Sequence, residues 1–144
     1  MENKPKLDIV DRAEKAIQSL GRNTYGNFYM NTTKIRKFLT AVIAIKNKVD
    51  VEAAGKGSEF TELSPMLALE VKILKTNILY LAGREEELCR KSGRRTEHKK
   101  NCVKEFIQKT EIIEIIDSVG NDYKKFQELC RYVEALVAFH KYYS

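Results

Sequence analysis

Proline is scarce in this chain, two residues in 144, and only seven glycines are present. Disorder and repeat architectures are poorly supported by that composition, given 43% apolar and 32% charged residues. Cysteine is scarcer than a disulfide framework requires: Cys89, Cys102 and Cys130 form an odd set with no close pair, which suits a reducing compartment. Long hydrophobic runs are missing as well. The longest, such as ALVAF, fall far short of the roughly 20 residues that span a bilayer. The opening MENKPKLDIVDRAEKA carries charges every few residues and has no secretory apolar core. A soluble, cytoplasmic protein with no membrane partner is expected.

What is there reads as helix throughout. A length of 144 residues suits one domain covering the whole chain. A first helix is expected from about Lys6 to Leu20, with Leu7, Val10, Ala13, Ile17 and Leu20 on one side, followed by a loop, GRNTYGNFYMN. In TTKIRKFLTAVIAIKNKVDVE, the residues Ile35, Phe38, Leu39, Val42, Ile45 and Val49 recur at three- and four-residue steps, and Asn31 or Thr32 can cap the start. Ser64 followed by Pro65 opens a third helix, and Gly83 reads as its stop. Met66, Leu69, Val71, Ile73, Leu74, Ile78, Tyr80 and Leu81 cover more than half its circumference, so it is expected inside the bundle. A fourth helix is expected through KNCVKEFIQKTEIIEIIDSV as far as Gly120, and Asn121 or Asp122 caps the last one. No strand pattern is present, so the fold class is all-α, a single compact bundle of about five helices.

The last helix is the most unusual. Phe126, Leu129, Val133, Leu136, Val137 and His140 form its core stripe, while Tyr132, Phe139 and Tyr143 form a second line on another side. One small bundle is not expected to bury both, and the second line is a candidate protein interface.

Charge is concentrated. The net charge is +6, and the segment CRKSGRRTEHKKNCVK, residues 89–104, carries seven basic residues against Glu97 alone. The rest of the chain is balanced. A basic loop around 89–101 is therefore expected between helices three and four, suited to polyanions but unable to read bases through charge alone.

Catalytic chemistry has little to work with. His98 and His140 are the only histidines. His98, Cys102 and Cys89 lack a CxxC pair or a fourth ligand, so no metal is expected, and Cys102 reads as a small apolar residue at a helix start. His140 lies on an apolar stripe, where a hydrogen-bonded buried histidine, with Glu134 as its neighbour, is the better reading than a base. AAGKGSEF fails the phosphate-loop pattern. Neither enzyme activity nor a cofactor is expected.

Three stretches together, TTKIRKFLTAVIAIK (32–46), ILYLAGR (78–84) and FQELCRYVEALVAFHKYY (126–143), resemble the small subunit of type III-A CRISPR effector complexes, the Csm family small subunit. The resemblance covers most of the chain from about Asn31 onward. It implies a non-catalytic helical protein of antiviral defence, stacked in several copies along the effector filament and contacting guide RNA and target RNA without reading sequence. Its implied partners are the repeating backbone subunit, the large polymerase-like subunit and neighbouring copies of itself. Carried over by position, Arg36 and Lys37 match the basic pair of the IRK segment, beside Lys34, and Arg84 matches the arginine after alanine and glycine. Arg131 and Lys141 are further RNA candidates on the terminal helix. Arg90, Lys91, Arg94 and Arg95 match no motif and rest on charge alone. The rival reading is a helical protein–protein adaptor whose basic loop is incidental. A DNA-binding regulator would need a shorter helix-turn-helix turn than these loops provide.

Overall fold

The computed structural model describes residues 8–91 and 101–144, and the side chains of all of these except 87–91. Six α-helices occur among the described residues: α1 (Ile9–Gln18), α2 (Thr32–Lys56), α3 (Pro65–Lys91), α4 (Cys102–Thr110), α5 (Ile112–Val119) and α6 (Tyr123–Tyr143), with a 3-10 turn at Gly57–Glu59. No strand forms among them, and the fold is all-α.

The helix starts follow from local chemistry. The side chains of Asp8, Asn31, Asn101 and Asp122 each accept a hydrogen bond from a backbone N–H three residues on, satisfying donors that the first turn leaves unpaired. Ser64 does the same, more loosely, for Leu67. The first helix is shorter than its pattern, and Val10, placed on the core stripe by periodicity, is 46% exposed. Leu7 lies outside the described residues.

The segment expected as one fourth helix is two. Its break at Glu111 has φ 53° and ψ 33°, a left-handed conformation that costs a non-glycine residue about 1–2 kcal/mol. The cause lies far along the chain, on α6. The buried hydroxyl of Tyr132 donates to the Thr110 carbonyl at 2.6 Å, taking the acceptor that the Glu114 N–H would use in a continuous helix, while the Glu111 N–H closes the last turn of α4 on Ile107. α5 then leaves in a new direction and buries Ile112, Ile116 and Val119.

α3 departs from expectation at both its length and its burial. Gly83 does not stop it. Asn101 donates to the Ala82 carbonyl at 2.8 Å and Lys34 pairs with Glu85, so tertiary contacts hold the turns around the glycine in helix. Nor does α3 lie inside the bundle: Leu67, Val71, Leu74, Ile78 and Ala82 face the core, whereas Met66, Leu69, Ile73, Leu79, Tyr80 and Leu81 are exposed. Its neighbours α2, α4 and α5 leave the side bearing Met66, Leu69, Ile73 and Tyr80 uncovered.

α6 is the central helix, packed against α1, α2 and α5. Phe126, Leu129, Val133, Leu136 and His140 are buried as its core stripe, with Val137 half-buried. The second line is covered too, by α1. Tyr132 is 1% exposed, and Tyr143 donates to Glu14 at 2.6 Å and accepts from Gln18 at 3.0 Å. That hydrogen bond to Glu14 holds the Tyr143 phenol above its usual range.

Removing the Tyr132 hydroxyl tests how much its contact with Thr110 contributes to stability. Tyr132→Phe leaves a buried carbonyl without its donor, and should lower unfolding free energy by about 1–3 kcal/mol in urea titrations followed by circular dichroism. Helix content at zero urea should be preserved.

Candidate nucleic-acid interface

The topology brings four helix termini to one end of the molecule. Lys34, in the first turn of α2, pairs with Glu85 near the end of α3, and Lys48 pairs with Glu70 at 2.8 Å, so α2 and α3 run antiparallel. Asn101, the cap of α4, bonds to Ala82 of α3, and Lys104 lies 3.7 Å from Glu86. The end of α6 joins the same group through His140. Its Nε2 lies 2.6 Å from the Met30 carbonyl, its Nδ1 lies 3.3 Å from the Thr32 hydroxyl, and its ring stacks on Phe28 at 4.7 Å.

His140 is 2% exposed, and the two contacts define its proton: Nε2–H donates to the Met30 carbonyl while Nδ1 accepts from Thr32. Burial lowers its pKa, the Met30 hydrogen bond partly opposes this, and the nearby Arg22 adds to the lowering. Glu134, expected as its neighbour, is instead exposed on another face of α6. His140 is thus a structural pin between α6 and the entry to α2.

Arg22 secures the loop that wraps this end. Its guanidinium sits 4.0 Å over the Phe28 ring and donates to the carbonyls of Gly26 at 2.6 Å and Tyr143 at 2.9 Å. Gly26, at φ +83°, supplies the left-handed turn that the loop requires.

On this frame the exposed basic side chains can be placed. Arg36 and Lys37 lie on the outer side of the first turns of α2, Arg84 on the outer side of the last turns of α3, and Lys141 on the last turn of α6. All four are exposed and belong to the same end of the bundle. Lys34 is there too, but its ammonium is engaged by Glu85 and lies 3.8 Å from the Cys102 sulfur. Burial is the largest single influence and lowers its pKa, but the contacts with Glu85 and Cys102 together outweigh it and leave the pKa raised. It serves as the tie between α2 and α3.

Arg131 is elsewhere. It stands nine residues before His140, about 14 Å back along α6. There it lines an open hollow of about 310 Å³ between α2 and α6, together with Lys46, Asp50, Cys130 and Glu134. Two acids offset the two bases in that hollow. Cys130 at its floor is buried, and desolvation pushes its thiol up to about 12.

Arg90 and Lys91 belong to the helical end of α3 rather than to a loop, although their side chains, like all of Arg94 and Arg95, lie outside the described residues. So do His98 and the Cys89 side chain. Cys102 opens α4 as a buried residue. No group of three potential metal ligands occurs among the described residues, and no helix among them is long and apolar enough to cross a membrane.

The aromatic candidates are redistributed. Tyr132 leaves the interface set because its ring is buried and its hydroxyl is used internally, and Tyr143 is half-buried against α1. Phe139 is half-buried beside it, 6.5 Å between ring centroids. The aromatic rings open to solvent at or near this end are Tyr142 at 79%, Tyr25 at 87% and Tyr80 at 68%. Tyr142 could have been found from the α6 wheel, where it lies off the core stripe.

A family model described as Csm2 Type III-A matches residues 4–144. The chain belongs to this family. Three curated relatives carry the name CRISPR system Cms protein Csm2. That of Streptococcus thermophilus is 32% identical over 137 residues, covering 95% of this chain and 92% of the relative. That of Enterococcus italicus is 29% identical, covering 94% and 84%, and that of Mycobacterium tuberculosis is 26% identical, covering 94% and 90%. The match includes most of the first 30 residues, beyond the three stretches that carried the sequence resemblance.

The His140 pin makes stability depend on pH with a defined sign. A lowered folded pKa means that the unfolded chain takes up a proton first, so the contribution is complete above about pH 6.5 and is lost as pH falls through the folded value. Urea unfolding at pH 7.5 and pH 5.5 should show a loss of stability in the wild type that is smaller in His140→Gln.

Proposed function

We propose that this protein is the non-catalytic small subunit of a type III-A CRISPR RNA-guided effector complex, acting in the cytoplasm in antiviral defence. In that role it grips the backbone of guide and target RNA without reading sequence. Copies stack along the filament beside the repeating backbone subunit, with the large polymerase-like subunit at one end. Family membership supports the assignment to the complex.

The observation that carries RNA binding is the gathering of Arg36, Lys37, Arg84 and Lys141 at one end of the bundle, on helices that the Lys34–Glu85 pair and the His140 contacts hold together. In sequence, the basic segment 92–100 falls between α3 and α4, and its residues lie outside the described ones. Fixed cations on rigid helix ends suit a regular polyanion, and they carry no base preference because phosphates are common to every sequence.

A non-catalytic role fits the state of the reactive groups among the described residues. His140 spends both ring nitrogens on structural contacts, and burial raises the pKa of both Cys102 and Cys130, which removes nucleophilic thiolate.

Binding of two unrelated single-stranded RNAs across a salt series tests this. If about four phosphates are neutralised, log affinity should fall against log salt with a slope near about −3 for both sequences. The triple variant Arg36→Glu, Lys37→Glu, Arg84→Glu should lose most of that affinity and flatten the slope. Equal binding by the triple variant would remove these residues from the interface.

A further inference from the structure

Two of the most exposed rings among the described residues belong to neighbouring segments at the basic end. Tyr25 sits at the tip of the loop between α1 and α2, and Tyr142 sits on the last turn of α6. One guanidinium joins the two segments. Arg22 donates to the carbonyl of Gly26, beside Tyr25, and to the carbonyl of Tyr143, beside Tyr142. Both supports are fixed. The Asn23 side chain accepts from the Tyr25 and Asn27 N–H groups at 2.9 and 3.1 Å, and the Asn23 N–H donates to the Asn27 carbonyl at 2.8 Å, so the tip is a closed turn. Tyr142 rests edge-on against Tyr143, 5.0 Å between ring centroids, and Tyr143 is tied to α1 through Glu14 and Gln18. Tyr25 takes part in none of the aromatic pairs or cation contacts among the described residues, and Tyr142 only in that edge contact. A turn tip favours small polar residues, and a lone exposed ring needs no explanation. Two rings held in place beside cations do.

The surroundings select the occupant. Lys141 precedes Tyr142 on the same turn, Arg22 lies between the two segments, and both cations are exposed. The acid Glu14 is already engaged by the Tyr143 hydroxyl. A nucleotide matches this combination, because its base brings a flat face to an aromatic ring and its phosphate brings a negative charge to the cations. An apolar protein surface would leave the cations unanswered, and a duplex presents its phosphates with its base faces already covered. We propose that Tyr25 and Tyr142 form a stacking site for unpaired RNA bases, next to the cations that hold the phosphates. The site rests on the RNA reading above and adds to it a preference for single-stranded segments over paired ones. Every base has a π face, so the site stays indifferent to sequence. Backbone contacts alone would give that indifference without the preference.

Binding of one single-stranded RNA to the full chain, compared with the same RNA in a long duplex and with an abasic ribose-phosphate strand of equal length, tests the proposal. Tyr25→Ala and Tyr142→Ala should each weaken binding of the single strand by at least about fivefold, with an unchanged slope against log salt because no phosphate contact is lost. Both variants should bind the duplex and the abasic strand as the wild type does. Tyr25→Phe and Tyr142→Phe keep the ring and should keep the affinity. The chain has no tryptophan, so Tyr142→Trp supplies a single reporter, whose fluorescence the single strand should quench and the abasic strand should not. Alanine variants that bind the single strand like the wild type, while the triple variant Arg36→Glu, Lys37→Glu, Arg84→Glu binds it weakly, would overturn the stacking site and leave the phosphate reading intact. A protein partner as the true occupant of these rings would appear as that result. Losses of equal size on the abasic strand would overturn the stacking site as well. A wild type that binds none of the three RNAs would overturn both readings. A triple variant that binds normally while the alanine variants do not would remove Arg36, Lys37 and Arg84 from the interface and keep the rings.

Discussion

The architecture depends on a single constraint: α6 is apolar on two sides, and both are covered within the chain. Its core stripe packs on α2 and α5, and the line of Tyr132, Phe139 and Tyr143 requires a second cover, which α1 provides. Covering both sides sets the rest. The Tyr132 hydroxyl reaches Thr110 and splits α4 from α5, while His140 at the far end takes hold of Met30 and Thr32 and so fixes where α2 begins. The Tyr132 hydroxyl and the His140 ring, both buried, are each spent on placing another element.

From that constraint follows the polarity of the molecule. Because α2 begins where α6 ends, and α3 returns antiparallel to α2, the start of α2 and the ends of α3 and α6 share one pole. Basic residues on those three elements come together although up to 105 positions separate Arg36 from Lys141. The balanced hollow around Arg131 shows the contrast. There, cations and acids alternate on the walls and no net positive field results. It is position in the fold, more than the charge of any one side chain, that separates the RNA candidates from the structural cations Lys34 and Arg22.

Much of the fold was legible in the sequence. Asn31, Ser64 with Pro65, and Asp122 mark their helix starts as cap chemistry requires, and the stripes of α2 and α6 are buried nearly as periodicity placed them. What could not be read depends on contacts between distant residues. Glu111 carries no breaker signal, since its conformation is imposed by Tyr132. Gly83 carries a stop signal that tertiary contacts override. Periodicity shows which residues of α3 are apolar but not how many neighbours it will have, so Met66 and Ile73 read as core and stand in solvent. For the candidate site, the sequence identified the cations and their family match, but the gathering of helix ends is a property of topology. The fates of Lys34 and Tyr132 required knowing what lay beside them.

The claim that the pole formed by α2, α3 and α6 is the RNA surface is tested most directly by amide hydrogen exchange of the protein with and without bound RNA. The account predicts slowed exchange around residues 32–37, 80–86 and 140–144, with little change around 123–131. Protection centred on 123–131, at the hollow beside Arg131, with the pole unaffected, would contradict it.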